Sequence, residues 1–305
     1  MIESTETIFE GFDCIQLTNG LITIWITTEV GPRILGLTYR ERANILAVLP
    51  DLRLPVQGAK EYSVRGGHRL WYAPEIPKNT YIADDHPVKV SQTKNGLKLV
   101  QEVDNATGIQ KSWQVKLDEK EAQVRIIHQL SNLGEREFEL APWAITQLRA
   151  GGTAVIPLQV DHDDEYGLQP NRQIVLWPYT ELNSPNLQLR DKKIVVQAKI
   201  LKGALKVGAP NPIGWLAYEL DGFLFVKKTD YQTGARYLDR GASSQIYCNR
   251  DFIELETLGP VVELAPNESV DHQETWQVFP EDDWPAEVKE LIETSEVDPT
   301  SEVSN

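Results

Sequence analysis

Apolar and polar residues alternate along most of this chain, and a period of two marks strands with one buried face. The alternation predicts strands over Leu21 to Thr27, Leu97 to Val103, Ile109 to Leu117, Ala122 to Ser131, Trp215 to Leu220, Phe223 to Lys228, Phe252 to Thr257 and Val270 to Phe279. Asn19-Gly20, Asn95-Gly96 and Asp221-Gly222 stand directly before such runs. Those dipeptides supply the positive φ angles of tight hairpin turns, so successive strands pair antiparallel. The expected fold class is all-β, a large antiparallel sandwich with a short C-terminal helix.

The helix is expected over Asp282 to Thr294, with Asp283 as cap, Pro285 in the first turn and Val288, Leu291 and Ile292 on one face against the sandwich edge. Residues 295–305 are acidic and nearly devoid of apolar side chains, which predicts a disordered tail. Residues 1–294 are read as one domain, since β sandwiches of this size form single units. Asn44 to Arg65 and Val160 to Asn186 are rich in Pro, Asp, Asn and Gly without periodicity and read as long loops, where sites are often built.

A hydrophobic share of 41% is that of an ordinary globular protein, and no apolar run reaches the ~18 residues of a membrane helix. The first residues are acidic where an export signal needs a basic start, so a cytoplasmic protein is expected. A net charge of -15 opposes a nucleic-acid partner. Cys14 and Cys248 lack any ligand or redox spacing and read as buried thiols. No pattern calls for a metal or cofactor, and none specifies an oligomeric state.

Three stretches carry candidate chemistry. Arg65-Gly66-Gly67-His68-Arg69-Leu70-Trp71, followed closely by Glu75, gathers cations, an imidazole, an aromatic and a carboxylate around a flexible glycine pair. The alternative is a surface turn whose Trp71 fills the core. In the strand from Phe252, period two sets Glu254 and Glu256 on one face, where a cleft would raise at least one pKa, whereas open water would leave a solvated edge. His272 and Glu274 share a face with Trp276, either supporting a neighbouring site or forming a structural pair. His128 lies on an apolar strand face and reads as a satisfied core histidine, while His86 and His162 sit in loops beside carboxylates.

These stretches resemble the galactose mutarotase-like superfamily of aldose 1-epimerases and hexose-6-phosphate mutarotases, over most of the chain. Arg65-Gly66-Gly67-His68-Arg69-Leu70-Trp71 is similar to the Arg-Gly-Gly-x-Pro segment of the hexose-6-phosphate mutarotases, and Leu255-Glu256-Thr257 to the Glu-Thr-Gln segment of galactose mutarotases. The resemblance implies a small sugar as partner, no cofactor, and Glu256 as general base. It also implies a general-acid His on the strand that follows Asn132, the last residue of the middle strand, where this chain has Leu140 to Thr146 and no His. His68 is then the first choice of acid and His162 the second. Arg65, Arg69, Glu75 and Glu254 would bind sugar hydroxyls, and one of Trp71, Trp143, Trp177 and Trp215 would cover an apolar sugar face. Two functions follow first, an epimerase that opens and recloses the sugar ring or a non-catalytic carbohydrate-binding protein that has lost its acid, and a lyase or another carbohydrate-active enzyme on the same scaffold is a third.

Overall fold

The computed structural model describes residues 2–56, 61–160 and 166–293, which fold around two large antiparallel sheets. The first sheet runs, neighbour to neighbour, Glu3–Phe9, Phe12–Thr18, Ile22–Thr27, Ile34–Tyr39, His68–Ala73, Phe138–Arg149, Phe252–Leu258, Ser244–Asn249, Ala204–Ala209 and Val175–Leu176. The second runs Leu187–Arg190, Lys193–Gln197, Thr153–Pro157, Trp215–Leu220, Phe223–Lys228, Ser269–Pro280, Gln123–Asn132, Ile109–Leu117, Gly96–Val100 and Lys89–Thr93. The all-β antiparallel sandwich expected from alternation is what forms.

Period two decides the layers. Alternate residues of both sheets meet in one core that includes Ile24, Leu97, Trp113, Ile126, Leu148, Phe225, Leu255 and Trp276. Burying each large aliphatic side chain there stabilises the fold by about 1.5–3 kcal/mol. The remaining residues of the first sheet face away from the second and form a smaller cluster of Trp71, Ala73, Ala141, Trp143, Ile145 and Leu258, joined by Tyr62 and Val64. Of the three hairpin dipeptides, Asp221 and Gly222 both adopt left-handed φ values, 55° and 71°, whereas the other two do so at one residue each, Gly20 and Asn95.

Three strands match their expected spans end to end, namely Ile109–Leu117, Trp215–Leu220 and Phe223–Lys228. Two expected loops are more ordered than their composition suggests. The stretch from Asn44 to Arg65 contains the paired strands Val48–Leu54 and Tyr62–Gly66, a separate small sheet, and the second stretch contains Val175–Leu176. Of the expected helix, Glu281–Asp283 is a 3-10 turn, Trp284 is extended, and the α-helix is Ala286–Glu293. Val288 and Ile292 pack on Val155, Val195 and Leu224, so the helix covers the outer face of the second sheet and not its edge. The expected tail lies outside the described residues.

Candidate functional site

Antiparallel register places residues in rows across the first sheet. One row is Arg69, Ile145, Glu256 and Gln245; the next is Gln147, Glu254, Tyr247 and Lys206. Both rows lie on the face turned away from the second sheet, because His68, Thr146, Leu255 and Thr257, their neighbours in sequence, occupy the other face. Five strands therefore deliver two cations, two carboxylates and two amides to one surface.

The small sheet walls that surface. Arg33, fully buried, donates from Nε to Asp84 at 2.7 Å, from Nη1 to the carbonyls of Val64 and Gly66 at 2.7 and 3.1 Å, and from Nη2 to the Tyr62 hydroxyl at 2.7 Å. Burial alone would raise the Asp84 carboxyl, but Arg33 and Arg65 outweigh it and hold its pKa low. The strand then turns through three consecutive left-handed residues, Arg65, Gly66 and Gly67. A Cβ at Gly67 would come within 2.2 Å of the Ile34 carbonyl oxygen, so only glycine fits.

Between wall and sheet lies a cleft of about 390 Å³ lined by Tyr62, Arg69, Trp71, Glu75, Trp143, Gln147, Tyr179, Lys206, Tyr247 and Glu254, among others. Glu254 Oε1 accepts from Arg69 Nη2 at 3.0 Å and from Gln147 Nε2 at 2.9 Å. Beside it, Glu256 Oε2 accepts from Trp143 Nε1 at 2.7 Å and from Lys206 Nζ at 2.8 Å. The Lys206 ammonium is 4.8 Å from the ring centres of both Trp143 and Trp177, and the Arg69 guanidinium is 4.1 Å from that of Trp71. Burial pushes the Glu254 carboxyl above its ordinary range, Glu256 adds to the rise, and Arg69 only partly offsets it. Several buried polar atoms here have no hydrogen-bond partner: Arg69 Nε and Nη1, Gln147 Oε1 and Glu256 Oε1. Unpartnered buried groups cost about 1–3 kcal/mol each, which a ligand with matching groups would recover.

Of the residues singled out in the sequence, Arg69, Trp71, Glu75 and Glu254 line the cleft, and Glu256, fully buried, is hydrogen-bonded to the lining residues Lys206 and Trp143. Glu75 accepts a hydrogen bond from the Tyr81 hydroxyl. Two expectations are corrected. His68 stands on the opposite face of the sheet from Glu256, because adjacent strand residues point opposite ways, so it does not join Arg69 and Glu256 in one cleft. Arg65 is diverted from the cleft into ion pairs with Asp84, at 2.8 Å, and with Asp85. His162 lies outside the described residues. Trp143 shares the cleft, whereas Trp215 packs on the outer face of the second sheet. Lys206 and Gln147 were missed in the sequence; the only signal for Lys206 was a lone cation inside the apolar run Ala204 to Ala209.

His68 belongs to a sealed network between the sheets. His128 Nδ1 donates to the His272 carbonyl at 2.9 Å, so His128 Nε2 accepts from His68 Nε2 at 2.7 Å and His68 Nδ1 accepts from the Thr146 hydroxyl at 2.9 Å. Lys227 Nζ lies 3.0 Å from each of Ala144 O, Thr146 Oγ1, Leu255 O and Glu274 Oε1. Glu274 also accepts from the Thr257 hydroxyl and, at 3.0 Å, from Trp276 Nε1. His68, His128 and Glu274 bring donor atoms within 4.8 Å of one another. Their lone pairs are already engaged and Lys227 already balances the carboxylate, so the cluster reads as structural.

No protein-family model matches the sequence, and no curated protein matches it. Solved structures do. A candidate aldose 1-epimerase from Klebsiella pneumoniae superposes with a TM-score of 0.62 at 10% identity, covering 97% of this chain and 88% of the other. A galactose mutarotase-like protein from Lactobacillus casei gives 0.58 at 10% identity over 87% and 100% of the two chains. The fold is galactose mutarotase-like. The mutarotase-like fold also matches a TPR-domain containing protein from Parabacteroides distasonis, with a TM-score of 0.62 at 15% identity, over 96% of this chain and 50% of that longer one. No helix among the described residues is long and apolar enough to cross a membrane.

Proposed function

We propose that the cleft binds a sugar ring and that Glu256 and Glu254 are its proton carriers in an aldose 1-epimerase type of reaction. The observation that carries this reading is the pair of carboxylates at alternate positions of one strand, both on the cleft face, about 6.8 Å apart along the backbone and held in unlike surroundings. Glu256, ion-paired with Lys206 and hydrogen-bonded by Trp143 through Oε2, has a free oxygen and serves as base. Glu254, whose pKa burial has raised, serves as acid.

Ring opening removes the proton of the anomeric hydroxyl to Glu256 and delivers the Glu254 proton to the ring oxygen as the bond from the anomeric carbon to that oxygen breaks. The resulting aldehyde rotates, and the reverse transfers close the ring on its other face. Atoms and charge balance without any cofactor. Trp71 and Trp143 offer apolar surface to the ring, and Arg69 and Gln147 offer hydrogen bonds to its hydroxyls.

One observation favours a second reading, binding without catalysis: no described residue lining the cleft is a histidine. Polarimetry or NMR of a freshly dissolved α-aldose separates the two. The enzymatic reading expects faster equilibration, lowered by ~10²-fold or more in Glu256→Gln and in Glu254→Gln with little loss of sugar affinity. Sugar binding without acceleration for any aldose would establish the binding protein, and acceleration that survives Glu256→Gln would remove that residue from the base role.

A further inference from the structure

The charges of the cleft are arranged against a charged ligand. Its two cations are each matched: Arg69 by Glu254 and Lys206 by Glu256. Two further carboxylates, Glu75 and Asp251, line the cleft, and Arg65, the nearest additional guanidinium in sequence, is committed to Asp84 and Asp85. With the adjoining Glu256 included, the described charges are thus net negative by two with Glu254 ionised, and by one with Glu254 protonated. In neither state is it positive.

The unpartnered atoms carry the same message independently. Glu256 Oε1 and Gln147 Oε1 are buried acceptors that need donors, while Arg69 Nε and Nη1 are donors that need acceptors. A sugar hydroxyl can be both donor and acceptor. A phosphate dianion or carboxylate only accepts, so it would leave Glu256 Oε1 and Gln147 Oε1 unsatisfied and set like charges together.

We infer that the cleft selects uncharged sugars over sugar phosphates and uronates, and that Glu256 sets this selection by occupying Lys206 and by demanding a donor with its free oxygen. The inference rests on the proposed sugar site. Replacing Glu256 by glutamine acts in the anion's favour twice over, because it frees the Lys206 ammonium and places an amide N–H where a carboxylate stood.

The experiment is calorimetric titration of the wild type, Glu256→Gln and Glu256→Gln/Lys206→Met with glucose, galactose, glucose 6-phosphate, glucuronate and inorganic phosphate. In the wild type, the anionic sugars and phosphate should bind at least ~10-fold more weakly than the preferred aldose. Glu256→Gln should gain ~10-fold or more in affinity for inorganic phosphate, in a salt-dependent way, and the added Lys206→Met should abolish the gain. Wild-type preference for an anion overturns the inference, as does a folded Glu256→Gln variant, checked by circular dichroism, that gains no anion affinity. If Glu256→Gln does not fold, the wild-type comparison decides alone. If no aldose binds, the sugar reading fails, while the phosphate titrations still decide the charge selection.

Discussion

The two faces of the first sheet carry comparable chemistry to opposite ends. On the inner face, His68, Thr146 and Thr257 join Lys227, Glu274 and His128 in a network whose hydrogen-bonding groups are taken up by one another. On the outer face, one residue away along the same strands, Arg69, Gln147 and Glu256 keep atoms without partners. Burial is nearly equal on the two sides, so burial alone does not identify a site. What distinguishes them is saturation: a finished network holds the sheets together, and an unfinished one leaves polar groups that a matching ligand would satisfy.

The sharpest way to break this contrast is to delete one cation from each face. Lys227→Met strands the Glu274 carboxylate in a dry core and should cost about 3–5 kcal/mol in urea unfolding. Arg69→Met should cost only about 1–2 kcal/mol, because Glu254 keeps Gln147 and, its pKa already raised, can take up a proton. Equal losses would show that both networks are structural.

Acid should separate the faces next. Burial holds the His128 imidazole down, from 6.5 to about 4, and His68 is lowered as well by burial. The unfolded chain therefore binds more protons than the folded one between those values, so stability is full above pH 6.5 and falls as pH drops toward 4. For His128 alone the loss is about 3 kcal/mol, read from urea midpoints between pH 7 and 4.5 and their extrapolation. A flat profile over that range would mean the imidazoles are not sealed from water.

Smaller effects test the wall. Tyr62→Phe removes one acceptor of the buried Arg33 and should cost about 1–2 kcal/mol while weakening ligand binding, since Tyr62 lines the cleft. Arg65→Asn, chosen because asparagine tolerates the left-handed backbone there, should cost about 1–2 kcal/mol, since Arg33 still pairs with the buried Asp84, and leave sugar affinity unchanged. A loss of affinity in that variant would return Arg65 to the site.

The sequence made the strands legible because alternation is a local property, and for the same reason it put Glu254 and Glu256 together. It made the convergence of the site less legible. His68 and Arg69 look like one cluster when counted along the chain, yet the alternation that revealed the strands also sends them to opposite faces. The composition of residues 44–65 reads as loop because nothing local announces that Arg33 will bind three points of the strand Tyr62–Gly66. Lys206 was hidden by its apolar neighbours, and its partner Glu256 lies fifty positions later.

The strand Ser269–Pro280 sits in the middle of the second sheet, between Phe223–Lys228 and Gln123–Asn132. During synthesis the strands on either side of it emerge first and can find only their hairpin partners, leaving two apolar edges apart until this segment leaves the ribosome. Closure of the sheet therefore waits on segments far apart in sequence, which slows it, and until then each half keeps an unpaired edge open to association.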